Sequence, residues 1–300
     1  MKKLIVFMFS IVLFGSCDKE GCTDPIAYNY DSSASQDDGS CLLYVPDDNF
    51  ELYLETHTSK GDSVNFGDIN SLGDGINNNN FVLLNRVKFL VDSLSLRYQS
   101  ASNSNTLNGI GITDLTGLQG FIDLVYFDGA FNPISSANFS SNRFLKSIWL
   151  SGCTSLSSLD VHLNLELEHL QIHNCDISDL DISNNISLTQ LTCSGNNISA
   201  LNTANNVNLE VLECHNNQEL NSLDLTSNVN LRSLVSHNCQ NLNSIDLRNG
   251  ANNLIFAFLV QNTSNLNCIA VDDSAYSNNN WIGNLYCSFD SQHYFSNSCP

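Results

Sequence analysis

One short sequence pattern occurs seven times between Leu124 and about Leu266. The seven units begin at Leu124, Leu145, Leu167, Leu188, Leu209, Leu231 and Leu254, so the steps between them are 21, 22, 21, 21, 22 and 23 residues. A fixed period of this length is typical of a solenoid, in which each unit buries its apolar edge only against its neighbours. The repeats constrain the fold more than the 300-residue length does, because added units lengthen one array without adding domains.

Within each unit, apolar residues fall at positions 1, 4 and 6, and a second apolar pair follows. In one unit these residues are Leu167, Leu170 and Ile172, followed by Leu180 and Ile182. Alternation at positions 4 to 6 is strand periodicity, so each unit should add one parallel strand to a sheet. Because the second pair flanks a single Asp, we expect a second extended stretch on the opposite wall rather than a helix.

The aligned pattern, L-x-x-L-x-(L/I/C)-x-x-(N/C)-x-(L/I)-x-x-L-D-(L/I), resembles the leucine-rich-repeat family over roughly residues 87 to 300. The resemblance implies a mostly β solenoid of about seven repeats. In this family the side chain at position 9 turns inward and hydrogen-bonds the backbone of the bend, as a buried amide must. Position 9 is here Asn132, Asn196, Asn217, Asn262, Cys153, Cys175 or Cys239.

Two sets of repeat residues could be mistaken for chemical sites. Five cysteines (Cys153, Cys175, Cys193, Cys214 and Cys239) stand where other units carry Leu, Ile or Asn, so we interpret them as small buried side chains. A bridge between Cys193 and Cys214, on adjacent units, is the alternative. The second set stands between the two apolar residues of each second pair and forms a polar column, namely Asp160, Asp181, Asn202, Asp224 and Asp246. We interpret this column as a structural polar ladder, and cation binding is the alternative.

Residues 1–16 have the features of an export signal. Two lysines precede an apolar run from Leu4 to Phe14 that is too short to span a bilayer. The following Gly-Ser-Cys resembles a bacterial lipobox, which implies cleavage before Cys17 and a diacylglycerol on its sulfur; secretion with an unmodified cysteine is the alternative. Residues 18–20 are similar to a tag that sends lipoproteins to the outer surface. We therefore expect a surface-exposed protein anchored to the outer membrane by lipid.

Residues 17–43 form the expected tether, within which GCTDPIAYNYDSSASQDDGSC resembles an acidic, disulfide-tied motif beside the anchors of bacterial surface proteins. The resemblance pairs Cys22 with Cys41, and export into an oxidising compartment suits such a bridge. Carboxylates and backbone carbonyls of this loop are candidate ligands for calcium, a hard ion that takes six to eight oxygens. The alternative is a solvated acidic spacer. The four candidate ligands are Asp24, Asp31, Asp37 and Asp38.

Residues 44–110 form the expected amino-terminal cap. Asp48 and Glu51 match an acidic capping box, which predicts a helix that covers the open end of the solenoid. Residues 60–80 read as a loop and residues 99–108 as a flexible excursion. The apolar helical face comprises Phe50, Tyr53, Leu54 and His57.

The repeats occupy residues 111–267, and residues 268–300 resemble the carboxyl-terminal cap of the same bacterial proteins, LxCIxVDDxxYSxxxW…FSxxC. The resemblance pairs Cys268 with Cys299. Cys287 is extra and leaves that pairing ambiguous. Such a bridge typically contributes about 2–4 kcal/mol of stability.

Strand positions 3, 5 and 7 should face outward on the concave side of the solenoid, where a ligand would touch it. Aromatic anchors on a weakly charged face suit a protein or glycan partner. At the carboxyl-terminal end these positions hold Phe256, Phe258 and Val260, for which packing under the cap is the alternative. The candidate ligand-binding residues are Tyr126, Trp149, His169, Gln171, His173, Gln190, Glu213, His215 and His237.

Charge and motifs exclude several functions. The formal net charge of −20 leaves no basic footprint for nucleic acid and disfavours anionic lipid headgroups, so lipid on Cys17 is the expected membrane contact. No G-x-S-x-G, H-E-x-x-H or phosphate-binding glycine loop occurs, which argues against an enzyme, and no cofactor is required. We expect a monomeric, non-enzymatic binding lipoprotein of the cell surface or envelope; the alternative is a structural spacer without a discrete ligand.

Overall fold

The computed structural model describes residues 18–89, 91–99 and 107–300. The predicted export signal, Cys17 and residues 100–106 of the predicted excursion lie outside the described residues. No helix in the described ranges is long and apolar enough to cross a membrane.

The described chain consists mainly of very short strands. Before the repeats these are β1 (Glu20–Gly21), β2 (Gln36–Asp37), β3 (Leu42–Tyr44), β4 (Phe81–Leu83), β5 (Ser93–Ser95), β6 (Arg97–Gln99) and β7 (Leu107–Gly109). Those of the repeats and of the carboxyl-terminal segment are β8 (Tyr126–Asp128), β9 (Ser136–Asn138), β10 (Ser147–Trp149), β11 (Ser158–Asp160), β12 (His169–Gln171), β13 (Gln190–Thr192), β14 (Val211–Glu213), β15 (Ser222–Asp224), β16 (Ser233–Val235), β17 (Ser244–Leu247), β18 (Ala257–Leu259), β19 (Cys268–Val271), β20 (Cys287–Ser288) and β21 (Tyr294–Ser296). The α-helices are α1 (Asp48–Thr56), α2 (Leu84–Val87) and α3 (Ser274–Asn280), and 3-10 turns cover Leu118–Gly120 and Asn252–Leu254.

Nine strands form one parallel sheet along the concave side, in the order β20-β18-β16-β14-β13-β12-β10-β8-β5. The register aligns equal repeat positions, so Tyr126 pairs with Ser147, Ser147 with His169 and His169 with Gln190. The predicted parallel solenoid of leucine-rich-repeat type is therefore confirmed. Strands β5 and β20 belong to the segments predicted as caps, so each cap extends the sheet.

The opposite wall is extended, as the second apolar pair of each unit predicts. It contains a two-stranded sheet, β11-β9, and a four-stranded sheet, β15-β17-β19-β21, whose strands all pair in parallel. The units that begin at Leu167 and Leu188 contribute no strand to this wall within the described residues. Apolar side chains of both walls form one core cluster that extends from Cys22 to Phe295.

The predicted register of the last repeat was wrong by one residue. Val235 pairs with Leu259, and Ile255, not Leu254, occupies position 1. Phe258 and Val260 are consequently fully buried, whereas Phe256 is 58% exposed. The error arose because two apolar residues stand side by side at 254 and 255, and only the fit to the neighbouring strand selects one of them.

The inward position 9 is occupied as expected in six of the seven units. Asn196 donates to the carbonyls of Ile172 and Cys193, and Cys239 Sγ donates to the carbonyl of Cys214 at 3.4 Å. In the last unit Asn262 is exposed, which contradicts the prediction, because the register shift places Thr263 inside instead.

A second buried amide column, which the sequence interpretation did not recognise, lies ten or eleven residues after position 9. Asn185 Nδ2 donates to the carbonyl of Asn164 at 2.9 Å, and Asn206 Nδ2 donates to the carbonyl of Asn185 at 2.9 Å. The column satisfies backbone carbonyls at the bend before each concave strand. Its members are Asn142, Asn164, Asn185, Asn206, Asn228 and Asn249.

Helix α1 is capped by Asp47 rather than Asp48. Asp47 Oδ1 accepts from the N–H groups of Asn49 and Phe50, each at 3.0 Å. The predicted capping box was wrong, since Glu51 is buried and accepts instead from two backbone N–H groups of the 60–80 loop. The predicted apolar face is present, because Phe50 and Leu54 are fully buried.

The carboxyl-terminal cap closes over the last rung with aromatic side chains. Trp281, which ends helix α3, is 1% exposed and lies 5.5 Å from Phe258 between ring centroids. A disulfide joins Cys268 to Cys299 with a Cα–Cα distance of 5.7 Å, and Cys287 is a free thiol. The disulfide-tied cap is therefore confirmed.

Candidate functional site

The concave face carries side chains from positions 3, 5 and 7 of neighbouring strands. Seven of the nine predicted ligand-binding residues lie on strands β12, β13 and β14 or in the turns that follow β12, β14 and β16. Among the described residues they form a row that is half-buried and varied in chemistry: His169, Gln171, His173, Gln190, Glu213, His215 and His237. The structure therefore brings these residues onto one surface.

Tyr126 and Trp149 lie at the amino-terminal end of this face, but their rings are already in contact with the protein. The two rings meet edge to face, with centroids 5.5 Å apart, and the Arg97 guanidinium lies 5.3 Å from the Trp149 ring centroid. Arg97 is in turn paired with the buried carboxylate of Asp128 at 2.5 Å. Burial raises the pKa of Tyr126 to about 12, and the Asp128 carboxylate acts in the same direction.

Neither Arg97 nor Asp128 was among the predicted site residues. Asp128 stands at position 5, which predicts a side chain on the concave face. Only the fold shows that strand β6, in the amino-terminal cap, places Arg97 next to Asp128. The four residues form a closed cluster, so Trp149 offers a partner only the part of its ring that Arg97 and Tyr126 leave open.

The centre of the concave face contains a shallow depression of about 430 Å³. Amides, hydroxyls and imidazoles line it, and Glu213 is its one carboxylate. The ring nitrogen Nδ1 of His215 is buried and has no hydrogen-bond partner in the described parts of the chain. The depression therefore offers donors and acceptors to a ligand while carrying little charge. The predicted ligand-binding residues that line the depression are Gln171, His173, Gln190, Glu213 and His215.

The histidines of this face are partly desolvated. Burial lowers the pKa of His173, against the opposing effect of Glu213. Burial also lowers the pKa of His215, and the neighbouring His237 adds to this effect, since its ring stacks on His215 at a centroid distance of 4.4 Å. His215 is therefore half-buried on this face rather than fully solvated.

The edge of the face is set by a residue at position 8 that adopts a left-handed backbone conformation in every repeat. Asn216 has φ 59° and Asn238 has φ 58°, and Asn238 Nδ2 donates to Asn216 Oδ1 at 2.8 Å. Asn and Gly are the residues that tolerate this conformation, so their recurrence at one position was a usable signal. The set comprises Phe131, Gly152, Asn174, Gly195, Asn216, Asn238 and Asn262.

The polar column on the opposite wall lies in hydrogen-bonded turns. Asp181 Oδ1 accepts from the N–H of Ser183 at 2.9 Å, and Asp224 Oδ1 accepts from the N–H of Thr226 at 3.1 Å. Hydrogen bonding by the Ser183 side chain, and then by its backbone N–H, lowers the pKa of Asp181. This supports the structural interpretation.

The acidic loop near the amino terminus is closed by a disulfide between Cys22 and Cys41. Its four candidate calcium ligands are engaged separately. Asp24 pairs with Lys88, and Asp31 pairs at 2.7 Å with the lysine that precedes β1. Asp37 and Asp38 each accept a backbone N–H two residues further on. In the described ranges no group of three or more His, Cys, Asp or Glu side chains is placed to hold a metal ion.

The fold is similar to that of known leucine-rich-repeat proteins. The functional domain of InlJ from Listeria monocytogenes, described as including a cysteine ladder, is 21% identical with a TM-score of 0.59, over 85% of this chain and 48% of that chain. This chain thus spans about half the length of that protein. An internalin C2 from the same species is 16% identical with a TM-score of 0.43, over 76% of this chain and 94% of that chain.

No protein-family model and no curated protein matches the sequence. At 21% identity the first of these likenesses shows the fold alone. The protein has the fold of a leucine-rich-repeat solenoid, whose stacked units create an extended concave surface.

Proposed function

We propose that this protein binds a protein or glycan partner in the central depression of its concave face. The observation that carries the proposal is the depression itself, in which His215 Nδ1 is buried without a hydrogen-bond partner among the described residues and Gln171, Gln190 and Glu213 offer further polar groups. A partner that supplies the missing hydrogen bond would relieve the cost of that buried nitrogen.

The chemistry of the lining favours hydrogen bonding over charge. Amide side chains such as those of Gln171 and Gln190 donate and accept at once, so they match peptide groups or sugar hydroxyls equally well. Glu213 adds one negative charge, which favours a partner with a donor or a positive charge opposite it. Trp149, near one end of the face, supplies the remaining aromatic edge.

The test is capture by purified protein that carries three substitutions, Gln171→Ala, Gln190→Ala and Glu213→Ala. Cell extract and a glycan array are the probes, and the expected result is loss of the signal with unchanged circular dichroism. The matched control replaces three exposed serines of the opposite wall and should retain capture: Ser158→Ala, Ser222→Ala and Ser244→Ala. Capture that survives the concave substitutions would show that the partner binds outside the central depression. Absence of capture by the unsubstituted protein would favour the structural spacer instead.

We further propose that the binding face is displayed at the outer membrane through a lipid on Cys17. The motif at residues 15–17 and the acidic residues after it support this proposal. Cys17→Ala should release the protein into the medium during growth, as seen by immunoblot of medium and membrane fractions. A variant that stays with the membrane would refute the lipid anchor.

Calcium binding at the acidic loop is a separate proposal, supported by the aspartates that share one disulfide-closed segment. Calorimetry of the whole protein with Ca²⁺ should give heat that is absent from a variant carrying Asp37→Asn and Asp38→Asn. These two carboxylates accept backbone N–H groups and have no lysine partner, which leaves them the freest of the four. Equal heats from both proteins would remove calcium from this loop.

A further inference from the structure

A second depression, of about 420 Å³, lies in the amino-terminal cap, away from the residues of the concave face. The turn that follows helix α1 forms one side of it, and residues 69–72 in the middle of the 60–80 loop, together with helix α2, form the other. The lining residues that bear on its chemistry are Thr58, Lys60, Asp62, Ser71, Leu72 and Arg86.

Ser71 lines this depression with a hydroxyl group that has no partner. The residue is 2% exposed, and Oγ makes no hydrogen bond within the described residues. Its backbone is fully used, since its N–H donates to the carbonyl of Asp68 at 3.0 Å and its carbonyl accepts from Arg86. A buried hydroxyl without a partner is costly, so the local structure favours a ligand that accepts a hydrogen bond there.

Positive charge is concentrated in the same depression. Of the 11 lysines and arginines, two lie in the export signal, which leaves 9 in the described ranges. Six of these 9 lie within 4.0 Å of a carboxylate: Lys19, Lys88, Arg97, Lys146, Arg232 and Arg248. Among the described residues three remain, Lys60, Arg86 and Arg143, and two of the three line this depression. In a chain with a net charge of −20, this is an unusual local excess.

Arg86 is held so that part of its guanidinium stays available. Nη1 donates to the carbonyls of Ser71 at 3.2 Å and Gly73 at 2.6 Å, which fixes the orientation of the planar group. The N–H groups on Nε and Nη2 make no hydrogen bond in the described parts of the chain. A fixed guanidinium with free N–H groups on one edge matches the two oxygens of a carboxylate, sulfate or phosphate.

We propose that this depression binds an oxyanion, namely the carboxylate, sulfate or phosphate group of a small ligand. Arg86 provides the paired N–H donors, Lys60 an exposed positive charge, and Ser71 Oγ a hydroxyl donor. Asp62 is the one carboxylate of the lining, and its repulsion limits the affinity. A volume of about 420 Å³ accommodates a ligand of the size of a single sugar or amino acid.

The experiment is calorimetric titration of the purified full-length protein with sodium sulfate, sodium phosphate and sodium glucuronate, at ionic strength matched with sodium chloride. At least one oxyanion should bind at one site per chain, and comparison of the three identifies the preferred group. Arg86→Gln and Lys60→Gln should each weaken binding by about tenfold or more, the scale of a charge-assisted hydrogen bond. Asp62→Asn should strengthen it, because it removes the only negative charge of the lining.

Ser71→Ala separates a ligand site from a purely structural role. Because Ser71 Oγ has no partner within the described residues, its removal should leave the melting temperature unchanged or higher while weakening oxyanion binding several-fold. Saturable binding with this pattern of variants establishes the site. Absence of saturable binding by all three oxyanions, or equal affinity in wild type and Lys60→Gln, overturns the proposal without affecting the function proposed for the concave face.

Discussion

Asp47 Oδ2 accepts hydrogen bonds from both the N–H and the hydroxyl of Thr113, each at 2.8 Å. Its other oxygen, Oδ1, caps helix α1. One carboxylate therefore joins the cap helix to the segment that leads into the first repeat, across 66 residues of sequence. These hydrogen bonds lower the pKa of Asp47 although burial opposes them.

Replacement of Asp47 should show whether this link stabilises the amino-terminal cap. Asp47→Asn retains an oxygen that can cap the helix but presents an N–H₂ group to the donors of Thr113, so it should lower the free energy of unfolding by about 1–3 kcal/mol. Asp47→Ala should cost about 0.5–2 kcal/mol more, because the cap is also lost. Urea unfolding measures both. Asp48→Asn, at the exposed neighbour, is the control and should leave stability unchanged; an Asp47→Asn protein as stable as wild type would contradict the link.

Two phenylalanines near the carboxyl-terminal cap, two residues apart, should contribute very differently to the free energy of unfolding. Phe258 is fully buried against Trp281 and Phe289, with centroid distances of 5.5 and 5.1 Å, whereas Phe256 is 58% exposed. Phe258→Ala should lower the free energy of unfolding by about 3–5 kcal/mol, the usual cost of removing a buried phenylalanine. Phe256→Ala should change it by less than about 0.5 kcal/mol. Thermal unfolding of the two variants measures the difference, and similar losses would contradict the revised register.

Features set by the repeat period could be predicted from the sequence, whereas contacts between distant segments could not. The strand repeat and the buried positions could be predicted, because each follows from a residue type recurring at a fixed spacing, whereas the disulfide of the cap was implied by the resemblance to a bacterial carboxyl-terminal cap. The same reasoning failed at Ile255, where two apolar residues are adjacent and only the pairing with strand β16 decides between them. It also missed Arg97, which reaches Asp128 from a strand outside the repeats.

The missed site features have the same cause. The oxyanion depression depends on Arg86, whose orientation is fixed by the carbonyls of Ser71 and Gly73, and nothing in the sequence links helix α2 to that loop. The left-handed position 8, by contrast, was visible as recurring Asn and Gly, although the aligned pattern assigned no residue type to it. Residues that recur at the repeat spacing were therefore predictable, and contacts between segments outside the repeats, or between these segments and the repeats, were not.

The repeat thiols should be unreactive in the folded protein. Burial raises the pKa of Cys153 to about 11 and that of Cys193 to about 12, and it raises the pKa of Cys214 as well. Because the thiolate is the reactive form, iodoacetamide at pH 8 should leave these three unmodified and label them only after unfolding in urea. Mass spectrometry of peptides measures the labelling. Rapid labelling of the folded protein would contradict their burial.

The same measurement decides between free thiols and a bridge. Cys193 and Cys214 are free thiols on adjacent rungs in the structure. Both should therefore accept iodoacetamide after unfolding without a reducing agent. Labelling of this pair that requires reduction would show that they form a disulfide in the protein.

The pH dependence of stability should reflect the desolvated histidines. Burial lowers the pKa of His173, His215 and His293 in the folded state, so between the folded pKa and about 6.5 the unfolded chain binds more protons. Folding is then favoured at high pH. Their contribution is present above about pH 6.5 and is lost as the pH falls toward the lowered values.

The free energy of unfolding should therefore decrease between pH 7.5 and pH 5.5, and a protein with His173→Gln and His215→Gln should show a smaller decrease. Part of the decrease should remain, because His293 is unchanged. Burial raises the pKa of Glu51 and Glu55 and so acts in the opposite direction, but both proteins share that contribution, and their difference isolates the two histidines. Urea unfolding at five pH values measures the effect. Identical pH profiles for the two proteins would show that His173 and His215 are not desolvated on the concave face.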